Sequence, residues 1–201
     1  MSFEEAVIQC GAPALCGIKP SCLFSIRKEV YDASKSKVRE WHSAFAGEGK
    51  YIVALPRRNA PVLFFVYDKN LLERQCGDCC IRQYLKEKDY PVESGFYAML
   101  SELLHRLAGE NGFPHEVGVF LGYPLEDVVQ FEKTAGGNYR YAGFWKVYGD
   151  VHSARKRMEQ YRTCSESCRE LLKRGLSVPL AAKKYARGAL IHNNLSNGGM
   201  Q

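Results

Sequence analysis

The chain has 201 residues, of which 46% are hydrophobic and 25% are charged, and its formal net charge is +6. This balance is typical of a globular protein, and the length allows one domain, or one domain with an appendage, to bury a core. No apolar run approaches the ~20 residues that cross a bilayer. The acidic start, Met-Ser-Phe-Glu-Glu-Ala, lacks the basic and apolar regions of a secretory signal. We therefore expect a cytoplasmic protein with no membrane partner.

The positive charge lies in the last quarter of the sequence. Residues 151–201 contain ten Lys and Arg against three Asp and Glu, whereas residues 1–150 contain eighteen against nineteen. Such a segment can contact an acidic partner, a phosphorylated ligand or nucleic acid. The solvated face of a helix gives the same pattern, so we do not expect nucleic acid to be the partner. An acidic partner stays a candidate, and the oligomeric state stays open.

The first third of the chain predicts two helices and three strands. Apolar residues recur at helical spacing in residues 4–15 and 28–45. Runs of β-branched and aromatic residues at 22–26, 51–55 and 62–67 predict strands, and the last two are spaced like the arms of a β-hairpin. Because both arms are almost continuously apolar, we expect both faces of the sheet to be covered.

The rest of the chain predicts mainly helices. Two further strands are expected at His115–Gly122 and Tyr139–Tyr148. Asp150 is placed to cap a long basic helix, and a last helix is expected to begin near Ser177. The other predicted helices span residues 69–75, 78–88, 93–108 and 124–134.

Together these elements predict an α+β fold. We expect a single domain, residues 1–176, in which an antiparallel or mixed sheet of about five strands is covered by helices. Residues 177–201 would form a basic helical extension. Its end, His192–Gln201, is rich in Asn, Gly and Ser and is predicted to be a disordered tail.

The eight cysteines are expected to be reduced. A chain that can build a core rarely needs disulfides, and most of these thiols should pack as small hydrophobic groups. Cys76 and Cys79, together with Cys164 and Cys168, have the donor types of a zinc or iron–sulfur site. The same spacing arises on helix faces from packing. The sequence therefore assigns no metal ligand and leaves the cofactor unknown.

His115 and Glu116 are the first candidate catalytic residues. A histidine next to a carboxylate at the leading end of a strand can act as a general base or a ligand. Adjacent strand residues point to opposite faces, so the two side chains need not share a site. The alternative is that His115 only stabilises the turn after Pro114.

The turn and helix start that follow this segment carry two carboxylates. Glu126 and Asp127 lie in the first helical turn, where the helix dipole favours negative charge. A phosphate is not expected there, because Pro124 removes an amide donor and the carboxylates would repel it. We include Tyr123, Glu126 and Asp127 among the ligand-binding candidates, with capping of the helix as the alternative.

Cys10 is a candidate nucleophile. It begins a segment similar to the Cys-Gly-x-Ala-x-Leu segments of papain-like enzymes, near a predicted helix start where the dipole would stabilise a thiolate. With His115 as base and Asn138 as a third polar group, the order along the chain suits a Cys/His hydrolase. The alternative is a buried, unreactive thiol.

Three blocks of the sequence resemble one known family. Residues 113–128, Phe-Pro-His-Glu-Val-Gly-Val-Phe-Leu-Gly-Tyr-Pro-Leu-Glu-Asp-Val, and residues 143–150, Gly-Phe-Trp-Lys-Val-Tyr-Gly-Asp, resemble the signature blocks of the bacterial domain-of-unknown-function family 3793. Residues 12–19, followed by Leu-Phe-Ser at 23–25, resemble its N-terminal block. The resemblance covers roughly residues 8–175.

This resemblance implies a bacterial protein of a reduced cytoplasm, since the family is met mostly in anaerobic Gram-positive bacteria. It implies no particular activity, so whether the chain is an enzyme stays open. Lys19 and Lys146 lie in the recurring blocks and join the ligand-binding candidates.

Three functions are then compatible with the sequence. The first is a small-molecule or thiol-linked site around residues 113–116. The second is a papain-like Cys/His hydrolase. The third is a non-enzymatic binding module whose basic final helices bind an acidic partner.

Overall fold

The computed structural model describes residues 2–58, 60–109 and 112–197 of the chain. The α-helices in these ranges are α1 (Phe3–Leu15), α2 (Lys28–Ala46), α3 (Lys69–Gly77), α4 (Cys79–Glu87), α5 (Phe96–Ala108), α6 (Val117–Phe120), α7 (Leu125–Lys133), α8 (Val151–Lys173) and α9 (Val178–Asn197). The strands are β1 (Ser21–Ile26), β2 (Lys50–Leu55), β3 (Val62–Asp68), β4 (Tyr141–Ala142) and β5 (Lys146–Val147).

Local signals in the sequence account for where the helices begin. The Ser2 hydroxyl accepts a hydrogen bond from the Glu5 amide (3.1 Å), and the Glu5 carboxylate accepts one from the Ser2 amide (2.7 Å). This capping box starts α1. Asp150 caps α8 by accepting from the Ser153 amide at 3.1 Å, as predicted.

The fold combines helices with antiparallel sheet, as predicted, but its strands form two sheets. β3 lies between β1 and β2, antiparallel to both, and this confirms the predicted hairpin. β4 and β5 form a separate two-stranded ribbon. The expectation of one sheet of about five strands is therefore wrong: within the described residues, the strands divide three and two.

Two predicted strands account for this difference. The segment His115–Gly122 is not a strand but contains the short helix α6, in which every residue is buried. A short apolar run has no periodicity that separates a buried strand from a buried helix. The predicted strand Tyr139–Tyr148 is interrupted by a turn, in which the Gly143 amide donates to the Trp145 carbonyl at 3.0 Å. Only two residues remain on each side of that turn as strand.

The central strand β3 is buried over its whole length, and helices cover both faces of the sheet. Phe64 and Val66 pack on one face with α1, α2, α8 and α9. Phe65 and Tyr67 pack on the other face with α3, α5 and α6. This confirms the expectation that both faces are covered. We call the first face the α1 face and the second the α5 face.

Helix α9 packs into the core on the α1 face through Val178, Ala181 and Ala182, which are all fully buried. It continues to Asn197, and the last four residues of the predicted tail lie outside the described residues. The division of the chain near residue 176 stays a prediction. In the described part of the chain, no helix combines the length and the apolarity needed to cross a membrane.

A tight turn after α6 joins the 113–127 segment to the sheet. Gly122 has a φ of +76°, and a Cβ at this position would lie 2.8 Å from Cδ of Pro20. Next to it, the Ser21 hydroxyl at the start of β1 donates to the Phe120 carbonyl at 2.8 Å. The turn therefore needs a residue without a side chain, and it determines how α6 and α7 lie against β1.

We expect Gly122→Ala to lower the free energy of unfolding by about 1–3 kcal/mol, because the positive φ and the contact with Pro20 both oppose a Cβ. Gly77→Ala is the matched control, since a Cβ added there would have no atom within 4 Å and the φ of Gly77 is not positive. Urea unfolding of both variants measures the difference. Equal stability of the two variants would contradict this account of the turn.

Candidate ligand-binding site

A cavity of about 480 Å³ lies between α6, α7 and the β4–β5 ribbon. We call it the large cavity. Aromatic and aliphatic side chains make most of its wall, and three polar residues, His115, Asp127 and Lys146, also line it. The apolar part of the wall is Leu23, Phe113, Val117, Leu121, Tyr123, Val128, Phe131, Phe144 and Trp145. Such a wall suits the apolar body of a small ligand.

His115 lies at the rim of the large cavity. It is exposed, and its ring centroid is 5.2 Å from that of Phe131 and 6.2 Å from that of Phe113. Its ring makes no hydrogen bond to the residues that the structure describes. The imidazole is therefore free to contact a ligand.

Glu116 points away from this cavity. Its carboxylate accepts from the Tyr90 hydroxyl (3.2 Å) and from Arg106 Nη1 (3.0 Å). Arg106 also donates to Glu102 at 2.6 Å and stacks on the Tyr90 ring at 4.2 Å. Burial and the Glu116 charge raise the pKa of Tyr90 well above its usual range. The structure therefore places Glu116 in a buried ion-pair network and does not bring it to His115.

Asp127 holds the β4–β5 ribbon against α7. Only 2% of the residue is exposed, and its carboxylate accepts from Trp145 Nε1 (2.7 Å), the Tyr148 amide (2.8 Å) and the Gly149 amide (3.0 Å). These three donors occupy both oxygens. Asp127 neither caps α7 nor offers a free carboxylate to a ligand, and its neighbour Glu126 is exposed beside Gly149.

Lys146 brings a positive charge to the wall of the large cavity. Its Nζ donates to the Gly136 carbonyl at 2.6 Å and lies over the rings of Tyr139 (5.0 Å) and Phe131 (5.6 Å). Among the residues that the structure describes, no carboxylate forms an ion pair with it. The neighbouring aromatic faces stabilise the cation without neutralising it.

Lys19 is the least compensated charge of the site. Only 7% of the residue is exposed, and its Nζ lies over the rings of Tyr123 (5.3 Å) and Tyr161 (5.5 Å). Within the described ranges, its ammonium group has neither a hydrogen-bond acceptor nor a carboxylate in salt-bridge distance. It lines a second cavity of about 230 Å³ together with Cys10, Cys22 and other residues. We call this the small cavity.

The two cavities adjoin one another. Leu23, Tyr123 and Phe144 line both of them. The Tyr123 ring stacks on Trp145, with centroids 4.8 Å apart, and its hydroxyl donates to the Phe144 carbonyl at 3.3 Å. Tyr123 therefore belongs to both cavities, and its ligand-binding role stays a prediction.

Cys10 lies in the middle of α1, not at its start, so the helix dipole does not stabilise its thiolate. Desolvation and the neighbouring Cys22 raise the pKa of its thiol. His115 lines the large cavity whereas Cys10 lines the small one, so the structure does not unite the predicted pair in one cavity. The geometry gives the hydrolase hypothesis no support.

The four cysteines considered from the sequence as ligands of one metal site do not lie together. Cys76 is buried on the α5 face and Cys79 is exposed, whereas Cys164 and Cys168 are buried on the α1 face. These four thiols therefore do not converge. Cys16 instead joins Cys164 and Cys168, a group that sequence reasoning missed although the last two are spaced one helical turn apart.

Sequence reasoning also missed the aromatic residues that complete the site. Phe131, Phe144, Trp145 and Tyr161 line the two cavities but are distant in sequence from Lys19. The signal for Phe144 and Trp145 was the high aromatic content of residues 139–148, whereas Phe131 and Tyr161 lie outside that segment.

The raised pKa of Cys10 predicts slow alkylation by iodoacetamide at mildly acidic pH, because the thiolate is the reactive form and a raised pKa reduces its fraction. Cys10 should react no faster than a free cysteine peptide, and its rate should rise with pH. Peptide mapping after timed labelling gives both rates, with the exposed Cys79 as an internal comparison. Preferential labelling of Cys10 at mildly acidic pH would instead support a nucleophile.

Comparison with known proteins gives one match, to a family model. No curated protein and no solved structure is significantly similar to the chain. A family model described as "Protein of unknown function (DUF3793)" matches residues 7–180, which is most of the chain and agrees with the resemblance seen in the sequence blocks. The protein therefore belongs to the DUF3793 family.

Proposed function

We propose that this protein binds a small organic anion with an apolar or aromatic body, at the adjoining large and small cavities. Lys19 supplies the countercharge, and the aromatic wall around Tyr123 and Trp145 contacts the body of the ligand. The proposal refines the first of the three sequence hypotheses. It concerns binding, and it assigns no reaction.

The size and composition of the large cavity support a small-molecule ligand. Ligand sites in proteins commonly enclose about 300–1,000 Å³, with a mostly apolar wall and a few polar groups. The volume of about 480 Å³ lies within this range. The aromatic side chains of Phe131, Phe144 and Trp145 in the wall favour an aromatic ligand body.

The charges of the site favour an anion. The carboxylate of Asp127 is occupied by three N–H donors, whereas Lys146 and Lys19 have no carboxylate partner among the described residues. His115 at the rim can donate a hydrogen bond to a ligand in either protonation state. A ligand carboxylate, sulfonate or phosphate would therefore lie near the cations of Lys19 and Lys146. The Asp127 carboxylate, already bonded to three N–H donors, is the only anionic group among the polar residues named here.

The single observation that carries the proposal is the burial of Lys19 without a counterion. Burial of most of the Lys19 side chain removes its charge partly from water, which is unfavourable, and buried charges in proteins are usually paired. The two tyrosine rings offset part of this cost, at about 0.5–2 kcal/mol each. A ligand anion in the small cavity would supply the missing pair.

We expect Lys19→Met to weaken binding of the anionic aromatic dye anilinonaphthalene sulfonate by at least about tenfold, which is about 1.4 kcal/mol. Methionine keeps the length and apolar stem of lysine but removes the charge. Binding of the neutral dye Nile red should change little, because the apolar wall stays intact. Fluorescence titration with both dyes measures the two affinities.

Lys69→Met is the matched control, since Lys69 also lies over a tyrosine ring, that of Tyr97 (5.5 Å), but lines neither cavity. It should bind both dyes like the wild type. Urea unfolding adds a second readout: Lys19→Met should be at least as stable as the wild type, because no protein ion pair is lost. Unchanged affinity for the anionic dye, or a large loss of stability, would overturn the proposal.

A second candidate function, binding of an acidic protein segment, is favoured by one observation. Leu180 is 58% exposed on α9 and lines a shallow groove of about 320 Å³ with Lys183, Lys184 and Arg187. Lys183 forms an ion pair with Glu48 at 2.9 Å. Lys184 and Arg187 form none within the described residues. An apolar residue between basic ones suits an acidic segment that contains a leucine or similar side chain.

We expect the double variant Lys184→Glu/Arg187→Glu to weaken binding of a glutamate–leucine copolymer by about tenfold at low salt, with a smaller effect at high salt. The double variant Arg155→Glu/Lys156→Glu on the exposed part of α8 is the matched charge control. Truncation at residue 175 is not a suitable test, because it removes Val178, Ala181 and Ala182 from the core. Equal loss in the control would indicate a nonspecific charge effect and contradict a specific groove.

A further inference from the structure

Three buried cysteines converge on the α1 face of the sheet. Cys16 lies at the C-terminal end of α1, and Cys164 and Cys168 lie one turn apart on α8. The three Sγ atoms are within 4.8 Å of one another, and those of Cys16 and Cys168 are 3.5 Å apart. All three residues are nearly or fully buried. We call this group the thiol triad.

We infer that the thiol triad binds one thiophilic d¹⁰ metal ion, Zn²⁺ or Cu⁺, through its three sulfur atoms. This inference does not depend on the proposed ligand in the two cavities. It differs from the set of four thiols considered from the sequence, because Cys16 replaces Cys76 and Cys79.

The spacing of the triad fits a single ion. A zinc–thiolate bond of about 2.3 Å places two sulfur ligands about 3.8 Å apart in a tetrahedral site. The observed spacings, 3.5 Å for one pair and no more than 4.8 Å for any pair, allow such a site with small side-chain movements. An iron–sulfur cluster fits less well, because its several irons and bridging sulfides hold the thiolates further apart.

The chemistry of the donors selects the class of metal. The triad contains sulfur and neither imidazole nor carboxylate. Thiolates favour Zn²⁺ and Cu⁺ over the hard ions Mg²⁺ and Ca²⁺. The Cys16 thiol donates to the Ala182 carbonyl at 3.7 Å and the Cys168 thiol to the Ala181 carbonyl at 4.0 Å. Metal binding would release these thiol protons.

Hydrophobic packing by itself explains less well why three cysteines converge at this point. Cys22 and Cys76 are also buried, but in the described chain neither belongs to a group of converging metal ligands. The triad brings together the end of α1, the middle of α8 and the backbone of α9. A metal at this point would crosslink α1 and α8 beneath α9, so its binding should stabilise the fold.

The test uses the full-length protein, reduced and freed of metal under anaerobic conditions. Titration with Co²⁺, a spectroscopic substitute for Zn²⁺, should give thiolate-to-cobalt charge-transfer absorption that saturates at one equivalent and is displaced by Zn²⁺. A parallel titration with Cu⁺ against a coloured chelator distinguishes the two ions. Thermal unfolding should shift to higher temperature with the ion that binds more tightly.

Cys16→Ala, Cys164→Ala and Cys168→Ala should each weaken metal binding by more than about 100-fold, beyond the 10- to 100-fold effect of changes outside the ligand shell. Alanine keeps these core positions apolar. Cys76→Ala is the control for a buried thiol on the other face. The double variant Cys79→Ser/Cys80→Ser is the control for the exposed group formed with Asp78.

One measurement needs no variant and therefore does not depend on their folding. X-ray absorption at the metal edge of the wild-type protein should report three sulfur neighbours at about 2.3 Å. Absence of binding by the wild type, retention of binding in the three alanine variants, or its loss in Cys79→Ser/Cys80→Ser would each overturn the inference.

Discussion

The complete burial of β3 dictates how the other elements are arranged around the sheet. Every residue of β3 is buried, so each face of the three-stranded sheet must be covered by apolar side chains from elsewhere in the chain. Phe64 and Val66 require a layer that α1, α2, α8 and α9 supply. Phe65 and Tyr67 require a second layer, to which α6 contributes. The segment that carries the candidate site therefore lies where it does because it completes the α5 face.

The buried polar groups near the candidate site fall into two classes. Glu116 and Asp127 are buried and paired, the first through Oε1 with Tyr90 and Arg106 and the second through both oxygens with three N–H donors. Paired buried charges hold a structure in one arrangement. Lys19 is also buried, but within the described residues its ammonium group lies over two tyrosine rings and has no carboxylate partner. This difference is why Lys19, and not Glu116 or Asp127, is the proposed ligand-binding residue.

The same contrast applies to the cysteines. Cys22 and Cys76 behave as small hydrophobic residues in the two cores. Cys16, Cys164 and Cys168 come from two helices to within 4.8 Å of one another. Thiols at this spacing are poor packing partners once deprotonated, but they are good ligands for a soft cation. The protein thus has two separate candidate sites, one for an organic anion beside the sheet and one for a metal ion within the α1 face.

The local elements and the family could be recognised before the fold was known. Capping residues such as Ser2 and Asp150, the periodic apolar residues of the long helices and the hairpin of β2 and β3 are short-range features, so they could be read from neighbouring residues. The sequence blocks around residues 113–128 and 143–150 identified the family, and the match over residues 7–180 confirms it. They also contain most residues of the large cavity.

Which of these residues lie together in space depends on the fold and not on their spacing in the chain. The buried run after His115 is a helix and not a strand, because an apolar run of that length packs equally well in either form until its neighbours are known. The Glu116 carboxylate accepts a hydrogen bond from Arg106 and not from His115, and the Asp127 carboxylate accepts one from Trp145. Pairings of this kind join residues far apart in the chain, and no spacing in the sequence encodes them.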